Sequence, residues 1–202
     1  MTADSPALTV RRELQRKAIH GATTVLPVAY AAGIRRPVMV GLTGALLATA
    51  IAVELARRWS PAVRERFDRL AGPLLRTHEA GGGVAGATWL FAAFFLVCLL
   101  TPPSVAVAAM WAVSAGDGAA GTIGRLVGRH RWASGKSLEG SVALLAMTAA
   151  GAWGLANWSP MTALGLGLAG ALSEAPAGPL DDNLRTAGGV ALTGILIIAL
   201  TH

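Results

Sequence analysis

The sequence predicts an all-α integral membrane protein: a single compact bundle of about seven transmembrane helices with a cytoplasmic N-terminus. Three observations carry this prediction. Of the 202 residues, 53% are hydrophobic and only 14% are charged, with a mean hydropathy of +0.55, whereas a soluble domain carries roughly 25% charge. The apolar residues fall in runs near the ~20 residues that cross a bilayer. The Lys and Arg residues lie in short clusters between those runs, as juxtamembrane anchors do.

Taken in order, a polar start, Met1 to Pro6, leads into the basic run Arg11-Arg12-Glu13-Leu14-Gln15-Arg16-Lys17 and a first apolar span, Ala18 to Ile34. Basic-then-apolar order imitates a secretory signal, but no small-residue cleavage site precedes a soluble domain, so the run is read as a retained span. Val38 to Ala56 is the second span, followed by a charged connection from Arg57 to Glu79. Val84 to Leu100 and Ser104 to Ile123 flank the uncharged Thr101-Pro102-Pro103. Arg125 to Lys136 is basic; Gly140 to Ala156 and Met161 to Ser173 then flank Asn157-Trp158-Ser159-Pro160, and Ala187 to Thr201 closes the series. The shorter spans are accommodated by local thinning or snorkelling. Small residues such as Gly167 and Ala171 let helix backbones approach closely. The whole chain, 1–202, reads as one domain without repeats.

Charge orients the bundle. The basic connections after the second and fourth spans, with the N-terminal run, belong on the cytoplasmic side of the inner membrane, which leaves the C-terminus outside. Arg35-Arg36 then faces outward, against the rule, unless the first span is tilted or re-entrant. The net charge of +6 is compatible with nucleic acid, but no basic stripe with interleaved aromatics is present, and nucleic acid is not expected as a partner. The lone cysteine, Cys98, excludes an internal disulfide and reads as a small lipid- or protein-facing hydrophobe.

On the predicted cytoplasmic side lie the residues that carry chemistry. Asp117 stands at the end of an apolar run, and an ionisable group at membrane depth is a functional hypothesis by default. It lies in Gly116-Asp117-Gly118-Ala119-Ala120-Gly121-Thr122-Ile123-Gly124-Arg125, with Arg129, Lys136, Ser137 and Glu139 following. Glycines let backbone N–H groups approach phosphate, a carboxylate holds a divalent cation, and Lys or Arg neutralises the remaining charge. Helix packing is the competing account of Gly118, Gly121 and Gly124. A second acidic segment, Glu174 through Asp181-Asp182-Asn183, supplies oxygen ligands suited to Mg²⁺; alone, it also reads as a solvated loop. Lys17 and His20 share a helix face, while Arg76-Thr77-His78-Glu79 reads as a surface or interhelical pair. Walker, His-Glu-x-x-His and Gly-x-Ser-x-Gly motifs are absent.

In their order, Glu13-Leu14-Gln15-Arg16-Lys17-Ala18-Ile19-His20, Gly116-Asp117-Gly118-Ala119-Ala120 with Gly124 and Gly128, Lys136-Ser137-Leu138-Glu139-Gly140-Ser141, and Glu174 through Leu184 resemble the signatures of one family. It is the membrane family of CTP-dependent lipid-alcohol kinases, which includes dolichol, phytol and farnesol kinases and the yeast-type diacylglycerol kinase; the spacing is most similar to the phytol kinase-like bacterial branch. The resemblance runs from about Glu13 to Leu184. It implies transfer of the γ-phosphate of CTP, or another nucleoside triphosphate, to an isoprenoid alcohol or diacylglycerol. It implies Mg²⁺ at Asp117, Asp181 and Asp182 with Asn183 and Glu174, and catalytic roles for Asp117, Lys136, Asp181 and Asp182. The nucleotide would be bound by Arg16, Lys17, Gly116, Gly118, Gly121, Gly124, Arg125, Arg129, Lys136, Ser137 and Glu139. After Leu184 the chain departs from the family's usual course toward proline, continuing Arg185-Thr186-Ala187. Two alternatives stay open: a CDP-lipid synthase, although the long cytidylyltransferase signature is missing, and a small transporter using Asp117 as an ion site. The acceptor alcohol and the oligomeric state, a homodimer included, are not specified by the sequence.

Overall fold

A computed structural model describes residues 20–72, 75, 79 and 83–201, and among these the regular structure is helical throughout apart from one isolated bridge, Arg131 to Ser137. Arg16, Lys17, Arg76 and His78 lie outside the described residues. A helical stretch at 20–22 precedes α1 (Val25–Ala31), followed by α2 (Arg36–Trp59), α3 (Pro61–Ala71), α4 (Gly86–Leu100) and α5 (Pro103–Trp111). Next comes one π-helical turn (Ala112–Gly116), continuing directly into α6 (Asp117–Leu126), then α7 (Leu138–Gly154), α8 (Pro160–Glu174) and α9 (Asp182–Thr201).

Helix starts follow local chemistry. Proline occupies the first turn of α2, α3, α5 and α8, where its missing N–H costs nothing. Ser60, Ser137 and Ser159 accept backbone N–H bonds from Val63, Gly140 and Thr162, capping α3, α7 and α8. Arg36 serves the other kind of end. Its guanidinium donates to the carbonyls of Cys98 (3.2 Å) and Leu99 (2.7 Å), satisfying the C-terminus of α4.

The centre of the fold is α5. Every residue from Val105 to Met110 is buried, as befits a helix that is apolar all round. It packs against α1, α4, α7 and α9, and α7, α8 and α9 form a neighbouring layer. Close approach is built from glycine: a Cβ at Gly151 would lie 2.1 Å from the Trp111 ring, and one at Gly167 2.5 Å from the Leu145 carbonyl. The exterior of the bundle is also apolar. Leu42 and Ile51 on α2, Leu164, Leu168 and Leu172 on α8, and Leu192, Leu196 and Leu200 on α9 all face outward.

Two helices, α2 and α9, are long and apolar enough to cross a membrane. The structure revises several expected boundaries. The first span is broken, and α1 has only seven residues, about 10 Å of helix. The connection after α2, expected as a loop, contains the 11-residue α3. The last helix starts at Asp182 rather than Ala187, so Asp182 and Asn183 occupy its first turn instead of an acidic loop.

Candidate functional site

The π-turn sets the site. The amide of Asp117 donates five residues back to the Ala112 carbonyl instead of four back to Val113. The Val113 carbonyl lies 2.8 Å from His20 Nε2, and because a carbonyl only accepts, that ring nitrogen carries the proton. The same nitrogen is 3.6 Å from Asp117 Oδ2, with both side chains largely buried. One extra residue in a helical turn thus joins Asp117 to a histidine 97 positions earlier in the chain. Single π-turns of this kind recur at functional sites.

Lys136 organises the second acidic group. Its Nζ lies 2.5 Å from Glu174 Oε1, 3.0 Å from Asp182 Oδ2 and 2.7 Å from the Glu174 carbonyl. Ser134 Oγ donates to the Ala175 carbonyl (2.5 Å), tying the loop of Lys136 to the end of α8. Arg185 pairs with the other oxygen of Asp182. Glu174 in turn feels the charges of Asp117 and Asp182 as well as Lys136. The acidic residues expected at the site, far apart in sequence, therefore gather at one end of the bundle.

Other expected residues serve the scaffold. Asp181 Oδ1 accepts from the backbone N–H and the side chain of Asn183 (2.9 and 2.8 Å), which makes it a cap for α9. Asn183 Nδ2 also reaches the Gly86 carbonyl at 3.4 Å. Glu139 accepts from the backbone and ring of His130 (3.2 and 2.8 Å), closing the loop after α6. Its own backbone amide, followed by the His130 ring, holds its carboxyl down to about 2. Arg125 and Arg129 are exposed at the end of α6 and just beyond it.

The glycine-rich stretch is helical rather than an open loop, so its backbone donors are engaged in the helix ladder. Gly116 faces Leu144 and Thr148, and a Cβ at Gly124 would fall 2.5 Å from Ser137 Oγ and 3.6 Å from the Gly140 Cα. These two glycines and Ser137 let α6 lie close against α7. A methyl group at Gly118 would meet nothing within 4 Å, so this glycine faces open space, while Gly121 is half-buried.

Between α2, α3 and α4 lies a cavity of about 380 Å³. Leu46, Ala50, Val53, Phe67, Leu90 and Phe91 make its walls apolar, and His20, Asp117, Asp182 and Asn183 also line it. Glu54, also on its wall, forms a buried ion pair with Arg57 at 2.7 Å. Glu54 Oε1 also accepts the Ala85 amide, and Arg57 donates to the Glu79 and Gly83 carbonyls. The sequence assigns no role to Glu54 or Arg57, and none to His20 beyond its helix face. The signal was present in Glu54, a carboxylate inside an apolar run.

Among the described residues, no group of three or more His, Cys, Asp or Glu side chains is arranged to hold a metal ion by itself. Four carboxylates line the cavity, Glu54, Glu79, Asp117 and Asp182. Glu54 is committed to Arg57 and the Ala85 amide, whereas Asp117 and Asp182 are the type of ligand taken by Mg²⁺ carried by a nucleotide, which needs one or two carboxylates and completes its shell with phosphate and water. No protein-family model, curated protein or solved structure matches this chain.

Proposed function

We propose that the chain is a multi-pass membrane kinase that transfers the γ-phosphate of CTP, or another nucleoside triphosphate, to an isoprenoid alcohol such as phytol or polyprenol, or to diacylglycerol. The observation that carries this reading is the apolar cavity whose lining also holds Asp117, Asp182, His20 and Asn183. Such a pocket suits a long apolar molecule with one reactive polar end. Its acidic side adjoins Lys136 and Arg185, the cations a polyphosphate requires.

The apolar exterior supports residence in a bilayer. Only 17% of the apolar window of α2 is buried, whereas the core helix of a soluble protein would be mostly covered. The cytoplasmic orientation rests on the charged end of the bundle, which carries α3, the 126–138 connection and the 174–182 segment. Arg36, the exception to the charge rule, is engaged by the α4 carbonyls.

In this reading the hydroxyl of the lipid sits beside Asp117 and Asp182, with its chain along Leu46, Ala50 and Val53. Phosphoryl transfer depends chiefly on alignment and on neutralising charge. Asp117 and Asp182 would hold Mg²⁺, which when bound screens the phosphate oxygens. Lys136 turns from its carboxylates toward the phosphates, with Arg125 and Arg129 contributing from the rim. The hydroxyl proton passes to a γ-phosphate oxygen as the new O–P bond forms, and CDP departs as the bond to the γ-phosphorus breaks. His20, held by the Val113 carbonyl, keeps its ring beside Asp117.

The test uses purified protein, radiolabelled CTP or ATP, and a panel of phytol, polyprenol and diacylglycerol. Labelled lipid phosphate and CDP are expected, with loss of product in Asp117→Asn; full activity in that variant would sink the mechanism. Pyrophosphate as coproduct would identify a CDP-lipid synthase. Flux across proteoliposomes without nucleotide consumption would identify a transporter.

A further inference from the structure

The helix α3 has no buried residue, yet its sequence is not that of a solvated helix. Val63, Phe67, Leu70 and Ala71 recur at i, i+4, i+7 and i+8, which places them on one stripe. Leu70 is 79% exposed. The opposite face carries Arg64, Glu65, Asp68 and Arg69, cross-linked by i,i+4 pairs at 3.9 and 3.7 Å. A strong apolar stripe beside a charged face is the pattern of a helix lying in a membrane interface.

The depth of α3 follows from its neighbour. At 24 residues, α2 is about 36 Å long, more than a ~30 Å hydrocarbon core, so its last turn, Arg57-Arg58-Trp59, falls at the interface. Trp59 is 80% exposed there, as an interfacial anchor would be. After Ser60, the chain turns straight into α3. Arg57 pins that turn: buried against Glu54, it also lies over the Phe67 ring at 5.0 Å. Phe67, Ala71 and Leu75 then form part of the cavity wall, while Leu70 on the same stripe faces outward.

We propose that α3 is an interfacial helix whose apolar stripe binds bilayer lipid chains, with Phe67 and Ala71 forming a lateral entrance through which a long-chain lipid passes from the leaflet into the cavity. The identity of that lipid as the phosphate acceptor rests on the function proposed above; the lipid contact and the entrance do not.

The test uses the full chain in liposomes, with Cys98→Ala and a nitroxide on a single cysteine at Leu70 or, separately, at Glu65 on the opposite face. The Leu70 label should collide with oxygen, which partitions into lipid, several-fold more often relative to a water-soluble nickel chelate than the Glu65 label does. Equal ratios, or the reverse order, would overturn the interfacial placement. Uptake of a fluorescent long-chain alcohol from vesicles is then timed by stopped flow. In Leu70→Glu, a change at an exposed position, the rate should fall several-fold with the final level unchanged. An unchanged rate would overturn the entrance. Neither measurement needs nucleotide or turnover, so failure of the kinase assay leaves both decisive.

Discussion

Lys136→Met removes the cation shared by Glu174 and Asp182 while keeping most of the apolar stem. Breaking a buried ion pair from one side costs about 3–5 kcal/mol, because the remaining charge is left unpaired. Glu174 is the stranded group here, with its side chain only 8% exposed. Lys136 and Asp182 are 25% and 27% exposed, so water and Arg185 recover part of the loss. The expected cost is therefore about 2–3 kcal/mol. At roughly 2–4 °C per kcal/mol for a chain of this size, the unfolding midpoint in detergent should fall by about 5–10 °C. Glu174→Gln should cost less, since Lys136 keeps Asp182, and a double-mutant cycle should give a coupling of about 1–3 kcal/mol. Millimolar Mg²⁺ should stabilise Lys136→Met more than the parent, because the variant presents uncompensated carboxylates. A midpoint change below about 2 °C, or a coupling indistinguishable from zero, would refute the assignment of Lys136 as their common counter-ion.

Three further outcomes follow from named contacts. Gly151→Ala sets a methyl 2.1 Å from a Trp111 ring that is already bonded to the Met147 carbonyl, and should cost about 1–3 kcal/mol in thermal unfolding. Gly118→Ala meets nothing within 4 Å and should stabilise α6 by about 0.5–1 kcal/mol without loss of nucleotide-dependent thermal shift; loss of that shift would restore a phosphate-cradling role for this glycine. The Glu139 carboxyl, lowered from 4.5 to about 2, contributes stability above pH 4.5 that disappears as pH falls through about 2. The stability difference between the parent and Glu139→Gln should thus be constant above pH 4.5 and shrink below it, as measured by unfolding across a pH series.

Hydropathy located α2, α4, α7 and α8 within a few residues, because their apolar runs end at prolines, serines or arginines that also end the helices. The same hydropathy hid α3. Its stripe at Val63, Phe67, Leu70 and Ala71 is interleaved with five charged residues, so a window average registers a polar connection although the helical spacing is legible. The candidate site divides similarly. Asp117, Lys136, Glu174 and Asp182 stood out as charges beside apolar runs, and tertiary packing gathers them. Asp181 stood out for the same reason but caps α9, a role that needs the helix start to be known. The glycines could serve either phosphate or packing; only their neighbours, such as Ser137 and Gly140 beside Gly124, distinguish the two.

The π-turn before Asp117 makes length, rather than composition, the property under constraint. Removing any one residue from Ala112–Gly116 would leave a helix just as apolar and easier to form. Because a π-turn fits five residues where an α-turn fits about four, the flanking helices would keep nearly the same phase. What would be lost is the spare acceptor: the Val113 carbonyl, bypassed by the five-back bond of the Asp117 amide, would regain an ordinary helical donor in place of His20. Conservative exchanges such as Val113→Ile would keep that carbonyl open, whereas a single-codon deletion would close it. The segment behaves as a spacer whose extra residue leaves one backbone acceptor for a side chain from elsewhere in the chain.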